Sequence, residues 1–132
     1  MRLPLAVIDK VQQTIAKYAT RPFILGYRVS PEEIETPGIR LADTLAFVAQ
    51  IKTKIDYLNL SMGSYQRTSL NDKVDTEPLL AKFARTLNHA VPLIGIGSVD
   101  TPADAAAVLS GGAASLAVGR DILREPQCVQ KV

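Results

Sequence analysis

The chain has 132 residues, a length that suits one compact domain burying roughly two-thirds of the surface its unfolded form exposes. Apolar residues make up 47% and charged residues 21%, too apolar a balance for a disordered chain. Lys and Arg number 15 against 13 Asp and Glu, and the resulting +2 is scattered, which gives no argument for a nucleic-acid or membrane partner.

Aromatic residues are 5% with no Trp, which leaves little for a base-stacking platform. The single cysteine, Cys128, has no partner for an internal disulfide, and with the single histidine, His89, it makes no metal cluster. Met1 to Leu5 is a short apolar start soon followed by Asp9 and Lys10, unlike a signal peptide. No apolar run reaches the roughly 20 residues of a membrane span. A cytoplasmic protein is the expectation.

In chain order, Leu3, Leu5, Ile8, Val11, Ile15 and Tyr18 fall at helical spacing and predict an amphipathic helix over 3–19. Arg21-Pro22 breaks it, and the apolar run 23–29 (FILGYRV) predicts a strand. Residues 30–38 open like a helix start but meet Thr36-Pro37-Gly38 at once, so they predict a loop holding one helical turn. A second helix follows over 40–53, then a strand over 55–60 (IDYLNL). The polar stretch 61–75 predicts a long loop, and long loops in compact domains tend to be functional or mobile. Leu79, Leu80, Phe83 and Leu87 share one face of a third helix over 76–87, and 91–96 (VPLIGI) predicts a third strand. Thr101-Pro102-Ala103-Asp104 is the clearest cap in the chain, and Gly111-Gly112 ends the helix it starts. A fourth strand over 114–118 and a helical start at Asp121, cut by Pro126, complete the chain. This strict alternation predicts an α/β fold with a parallel sheet and right-handed crossovers.

In such folds ligands collect at the carboxyl ends of the strands. Gly97 and Ser98 follow the third strand there, and Gly119 and Arg120 follow the fourth. Glycines let backbone amides approach an oxyanion, and a guanidinium forks onto two phosphate oxygens. The alternative is that the glycines serve tight turns and Arg120 is a solvated charge. The stretch from Gly95 has Asp100 where a dinucleotide fingerprint needs its third glycine, and no Walker lysine is present. Arg28 alternates with Tyr27 and Val29, so it faces the barrel interior while they face the helices. Buried there, it requires an acceptor, either a carboxylate on a neighbouring strand or an electron-rich ligand atom. Asn59 and Ser61 share that inward face. His89 stands at the opposite end as a solvated loop residue, and Cys128 reads as an inert thiol.

The strand ends, Tyr27-Arg28-Val29-Ser30-Pro31, Asp56 through Gly63, Pro92 through Ser98, and Ala117-Val118-Gly119-Arg120 followed by Glu125-Pro126, resemble those of the Old Yellow Enzyme family of NADH:flavin oxidoreductases in order and spacing. Even Met1-Arg2-Leu3-Pro4 resembles the middle of a family helix. The resemblance covers essentially the whole chain. It implies a (β/α)8 TIM barrel of which residues 1–132 are a single partial domain, the last four β/α units: a half-barrel with a parallel sheet. It implies FMN as cofactor, with NADH or NADPH as reductant. By the same resemblance Arg28 contacts the flavin pyrimidine edge, Gly97 and Ser98 donate amides to the FMN phosphate, and Gly119 and Arg120 complete that phosphate site. A cation at the pyrimidine edge stabilises the negative charge of reduced flavin. The family's first four strands, with its substrate-gripping His pair and tyrosine proton donor, have no counterpart here. No catalytic residue and no metal ligand is therefore assigned, and the 132-residue chain alone is expected to be inactive. Exposed strand edges predict a homodimer. The alternatives are a catalytically inactive half-barrel that self-associates, or another phosphate-binding barrel of the phosphosugar or dihydroorotate type.

Overall fold

Apolar residues at helical spacing wind the helices, and the second, third and fourth of them turn that stripe toward a short parallel sheet. The computed structural model describes residues 2–131, with Met1 and Val132 outside the described residues. The order is α1 (Arg2–Tyr18), β1 (Gly26–Val29), α2 (Leu41–Ile51), β2 (Tyr57–Leu60), α3 (Leu79–Leu87), β3 (Leu93–Ile96), α4 (Pro102–Ser110), β4 (Ser115–Ala117) and α5 (Arg120–Arg124), with a final 3-10 turn at Cys128–Lys131. The four strands pair in the order β1-β2-β3-β4, all parallel. Arg28 lies in register with Asn59, and Asn59 with Ile94.

The two faces of the sheet differ sharply. Leu58, Leu60 and Leu93 are buried with Phe47, Val48 and Ile51 of α2, Leu79, Leu80, Phe83 and Leu87 of α3, and Val108 of α4. Tyr27 adds an edge-to-face contact with Phe47 at 5.3 Å between ring centres. The alternate residues, Arg28, Tyr57, Asn59, Ile94 and Ser115, take the opposite face. A Cβ on Gly26 would run into the Tyr57 ring on that face, so the glycine leaves room for that ring.

Each strand is shorter than its apolar run. Phe23 and Ile24 stay 62% and 71% exposed, because β1 pairs only from Gly26, where β2 begins opposite it at Tyr57. Just ahead of the pair, Leu25 and Asp56 exchange two bonds of 2.6 and 2.7 Å, one of them to the Asp56 carboxylate. The helical turn expected within 30–38 does not form. Glu32 turns inward instead of lining a first helical turn, and the loop is built on its side chain. α3 starts at Leu79 rather than Thr76, since Pro78 disfavours helical dihedrals in the residue before it. The cap of α4 has the anticipated form. Asp104 N–H donates to the Thr101 hydroxyl at 3.2 Å, and the Asp104 carboxylate accepts from Thr101 N–H at 2.9 Å. Among the described residues no helix is long and apolar enough to cross a membrane.

Candidate functional site

The loop after β3 takes its shape from two successive residues at positive φ, Gly97 at 131° and Ser98 at 45°. A Cβ on Gly97 would lie 2.8 Å from backbone atoms of Ser64 and 2.9 Å from the Met62 carbonyl oxygen, so the β3 loop is pressed against the chain leaving β2. Two bonds fix that contact. Tyr65 N–H donates to the Gly97 carbonyl at 3.0 Å, and the Ser98 hydroxyl donates to the Gly63 carbonyl at 2.9 Å. From the next strand end, the Arg120 guanidinium donates to the same Ser98 hydroxyl at 3.2 Å.

A cleft of about 230 Å³ opens between these strand ends, walled by Gly63, Gly97, Ser98, Gly119 and Arg120. Open space stands where a Cβ on Gly63 or Gly119 would be. The four residues singled out after the third and fourth strands are thus brought to one place. The donor set, small residues backed by one guanidinium, suits an anion. Asp100 and Asp121 border the same cleft. Burial pushes the Asp121 carboxyl above its ordinary range, and the adjoining Asp100 carboxylate adds to that shift. In the sequence Asp100 was legible only as a break in a glycine pattern, and nothing marked it as facing Asp121.

Arg28 stands apart from this cleft, two strands away on the same sheet. It is exposed rather than buried, because the helices cover the opposite face. Its partner is a hydroxyl and not a carboxylate: Nη2 donates to Ser61 Oγ, just past the end of the neighbouring strand, at 2.7 Å. Beside it, Asn59 Oδ1 is enclosed and has no hydrogen-bond partner. An enclosed acceptor without a donor is costly. His89 lies at the other end of the sheet, exposed, on the rim of a larger cleft of about 440 Å³ with Asn88 and Gly112. That cleft is at the amino ends of the strands, away from the convergent loops.

The long loop 61–78 carries more than its composition suggested. Tyr65 reaches across to the Asp104 carboxylate at 2.9 Å, and this bond raises its phenol pKa and lowers that of Asp104 along with the Thr101 bond. Asp104 thereby caps α4 and anchors the β2 loop at once. In the sequence Glu32 is legible only as an acid in the first turn of a helix, and nothing there marks it as a buried carboxylate.

The model of the NADH:flavin oxidoreductase / NADH oxidase family matches residues 1–132. The chain is 39% identical over 132 residues to the NADH:acrylate oxidoreductase of Vibrio harveyi, covering 97% of this chain and 13% of that protein. It is 38% identical over 135 residues to the NADH:fumarate oxidoreductase of Klebsiella pneumoniae (strain 342), covering 99% and 15%. It is 34% identical over 133 residues to the probable NADH-dependent flavin oxidoreductase YqiG of Bacillus subtilis (strain 168), covering 100% and 36%. The chain therefore spans about an eighth to about a third of the length of these relatives. Histamine dehydrogenase from Rhizobium sp. 4-9 superposes with a TM-score of 0.64 at 18% identity, over 95% of this chain and 18% of that one. That likeness concerns the fold, four β/α units of a (β/α)8 barrel. Matched along its whole length by the family model and by relatives named for the same chemistry, the chain belongs to the NADH:flavin oxidoreductase / NADH oxidase family of flavin-dependent oxidoreductases.

Proposed function

We propose that the chain is the C-terminal part of an FMN-dependent NAD(P)H oxidoreductase resembling the ene-reductases, and that it contributes the flavin phosphate site and a flavin-contacting arginine. The observation that carries this reading is the meeting of Gly63, Ser98 and Arg120 at a cleft between the carboxyl ends of β3 and β4. Gly97, Ser98, Gly119 and Arg120 would hold the phosphate, with the guanidinium meeting its charge and the glycines admitting it closely. Arg28, on the same sheet face, would sit at the pyrimidine edge and offset the negative charge that gathers there on reduction. The unpartnered Asn59 Oδ1 beside it supports this reading, because it offers an acceptor to a ring N–H.

Bound FMN supplies two-electron chemistry: a hydride leaves NADH and reaches an acceptor's activated C=C bond together with a proton, giving NAD⁺ and the saturated product. The relatives named for acrylate and fumarate support an activated alkene as the acceptor. Their names and that of the Bacillus relative favour NADH over NADPH. We place the protein in the cytoplasm, where its reductant is made.

The test is to purify the intact protein and record its absorption spectrum and its oxidation of NADH. A yellow protein that oxidises NADH and reduces an activated alkene is expected. A colourless protein without such activity overturns the reading. Competition between FMN and a sugar phosphate separates it from a phosphosugar-type barrel.

A further inference from the structure

The loop joining β2 to α3, residues 61–78, has little regular structure, yet it is bonded along both flanks. One flank is the Gly63–Tyr65 seam with the β3 loop described above. The other is a buried carboxylate. The side chain of Glu32 is 0% exposed, in the loop that follows β1 and Arg28. Four donors from the β2 loop converge on it: Leu70 N–H at 2.7 Å, Asn71 Nδ2 at 2.8 Å, Ser69 Oγ at 3.0 Å and the Arg67 guanidinium at 3.3 Å. Burial alone would push the Glu32 carboxyl up. The bonds from Asn71, Leu70 and Ser69, with the charge of Arg67, outweigh burial and hold it below its ordinary range. A second strap runs alongside, since Arg40 donates to the Glu33 carbonyl and to Asn71 Oδ1, both at 2.9 Å.

The two flanks are mechanically joined. Arg67 N–H donates to the Ser64 carbonyl at 3.2 Å, and Leu79 N–H donates to the Arg67 carbonyl at 2.8 Å. The segment between Glu32's donors and the Gly63–Tyr65 seam is therefore braced rather than slack. At the seam Gly97 is already packed against Ser64. A displaced Ser64 would press on Gly97, and the Tyr65 and Ser98 bonds across the seam would pass the shift to the β3 loop. Ser98 is where Arg120 is held.

We propose that Glu32 is a positioning residue: its buried carboxylate fixes residues 63–71, and through them the placement of Gly97, Ser98 and Arg120 around the cleft. This rests on reading that cleft as the phosphate site. The bonds Glu32 makes go to Arg67, Ser69, Leu70 and Asn71 rather than to the cleft's walls, so its effect on a ligand is indirect and is expected at the phosphate end, where the Ser64–Gly97 seam leads.

The test compares FMN with riboflavin, which lacks the phosphate, by fluorescence quenching in the intact protein, with amide exchange followed at Tyr65 and Leu70. Glu32→Gln keeps the shape but presents a donor to a cage of donors. It is expected to weaken FMN at least tenfold, leave riboflavin within twofold, and speed exchange at both amides; Glu32→Asp is expected to recover part of the loss. FMN affinity unchanged while Leu70 exchanges faster would show that the carboxylate serves only its own loop. Equal losses for both flavins would show general damage, and either outcome overturns the proposal. Wild-type protein that holds riboflavin as tightly as FMN instead sinks the phosphate reading, and the proposal with it. Should Glu32→Gln fail to fold, Ser69→Ala removes one donor and keeps the carboxylate. A two- to threefold loss confined to FMN supports the proposal there, and no loss counts against it.

Discussion

Arg28 and Arg120 are both exposed, and both rest on a serine hydroxyl instead of a carboxylate. A guanidinium whose hydrogen bond goes to a hydroxyl keeps donors free for an anion, although at Arg120 the charge also acts on the neighbouring Asp121 carboxylate. If Arg120 binds phosphate, Arg120→Gln removes a charge-assisted bond of about 1.5–3 kcal/mol. That corresponds to roughly a tenfold to hundredfold loss of FMN affinity, with riboflavin affinity unchanged in the same quenching titration. Gly97 makes a different demand. At φ 131° a side chain is strained, and its Cβ would press on backbone atoms of Ser64 that have no room to yield. Gly97→Ala is expected to destabilise the fold by about 1–3 kcal/mol, read as a lowered urea midpoint with an unchanged slope.

At the level of elements, the start of α3 is held by charge. Glu77 just ahead of it pairs with Arg85 and Lys82 on the helix, and Asp75 also pairs with Lys82. The Arg85 bond, then the Lys82 bond, lower the Glu77 carboxyl from 4.5 to about 2 against a smaller opposing effect of burial. The folded value lies below the unfolded one, so this pairing contributes its stability above about 4.5 and loses it as pH falls toward about 2. Glu77→Gln should therefore lose less stability than the wild type across that interval, while starting less stable at neutral pH. Thermal melts by circular dichroism at stepped pH read the difference, and parallel curves for the two proteins would refute it. The order of elements, their facing and the α4 cap were all legible in the sequence, because periodicity and cap chemistry are local. Strand limits were not, since a strand extends only as far as its neighbour: Phe23 and Ile24 have strand-like side chains and no partner opposite. Of the site, the glycines and Arg120 could be read from their place after strands. Glu32 could not, because its partners lie 35 to 39 residues away and are joined through side chains that no short pattern connects.

Across the whole molecule, among the described residues, the sheet is helix-covered on one face and open on the other, and β1 and β4 each pair on one side only. Parallel sheets are rarely stable with one face open, and unpaired edges template association. Here the open side adds the half-buried Tyr57, Ile94 and Ile96 to the exposed Phe23 and Ile24 that lead into β1. In the far longer relatives, further chain is available to cover such a surface. The 132 residues expressed alone have only each other. We expect them to self-associate through these edges, as a dimer by light scattering, and to bind FMN weakly, since only the groups on this one sheet, Arg28 and the cleft beside Arg120, would hold it. A monodisperse monomer of the isolated chain would overturn the edge argument, and tight, stoichiometric flavin in it would overturn the claim that half the cofactor site lies elsewhere.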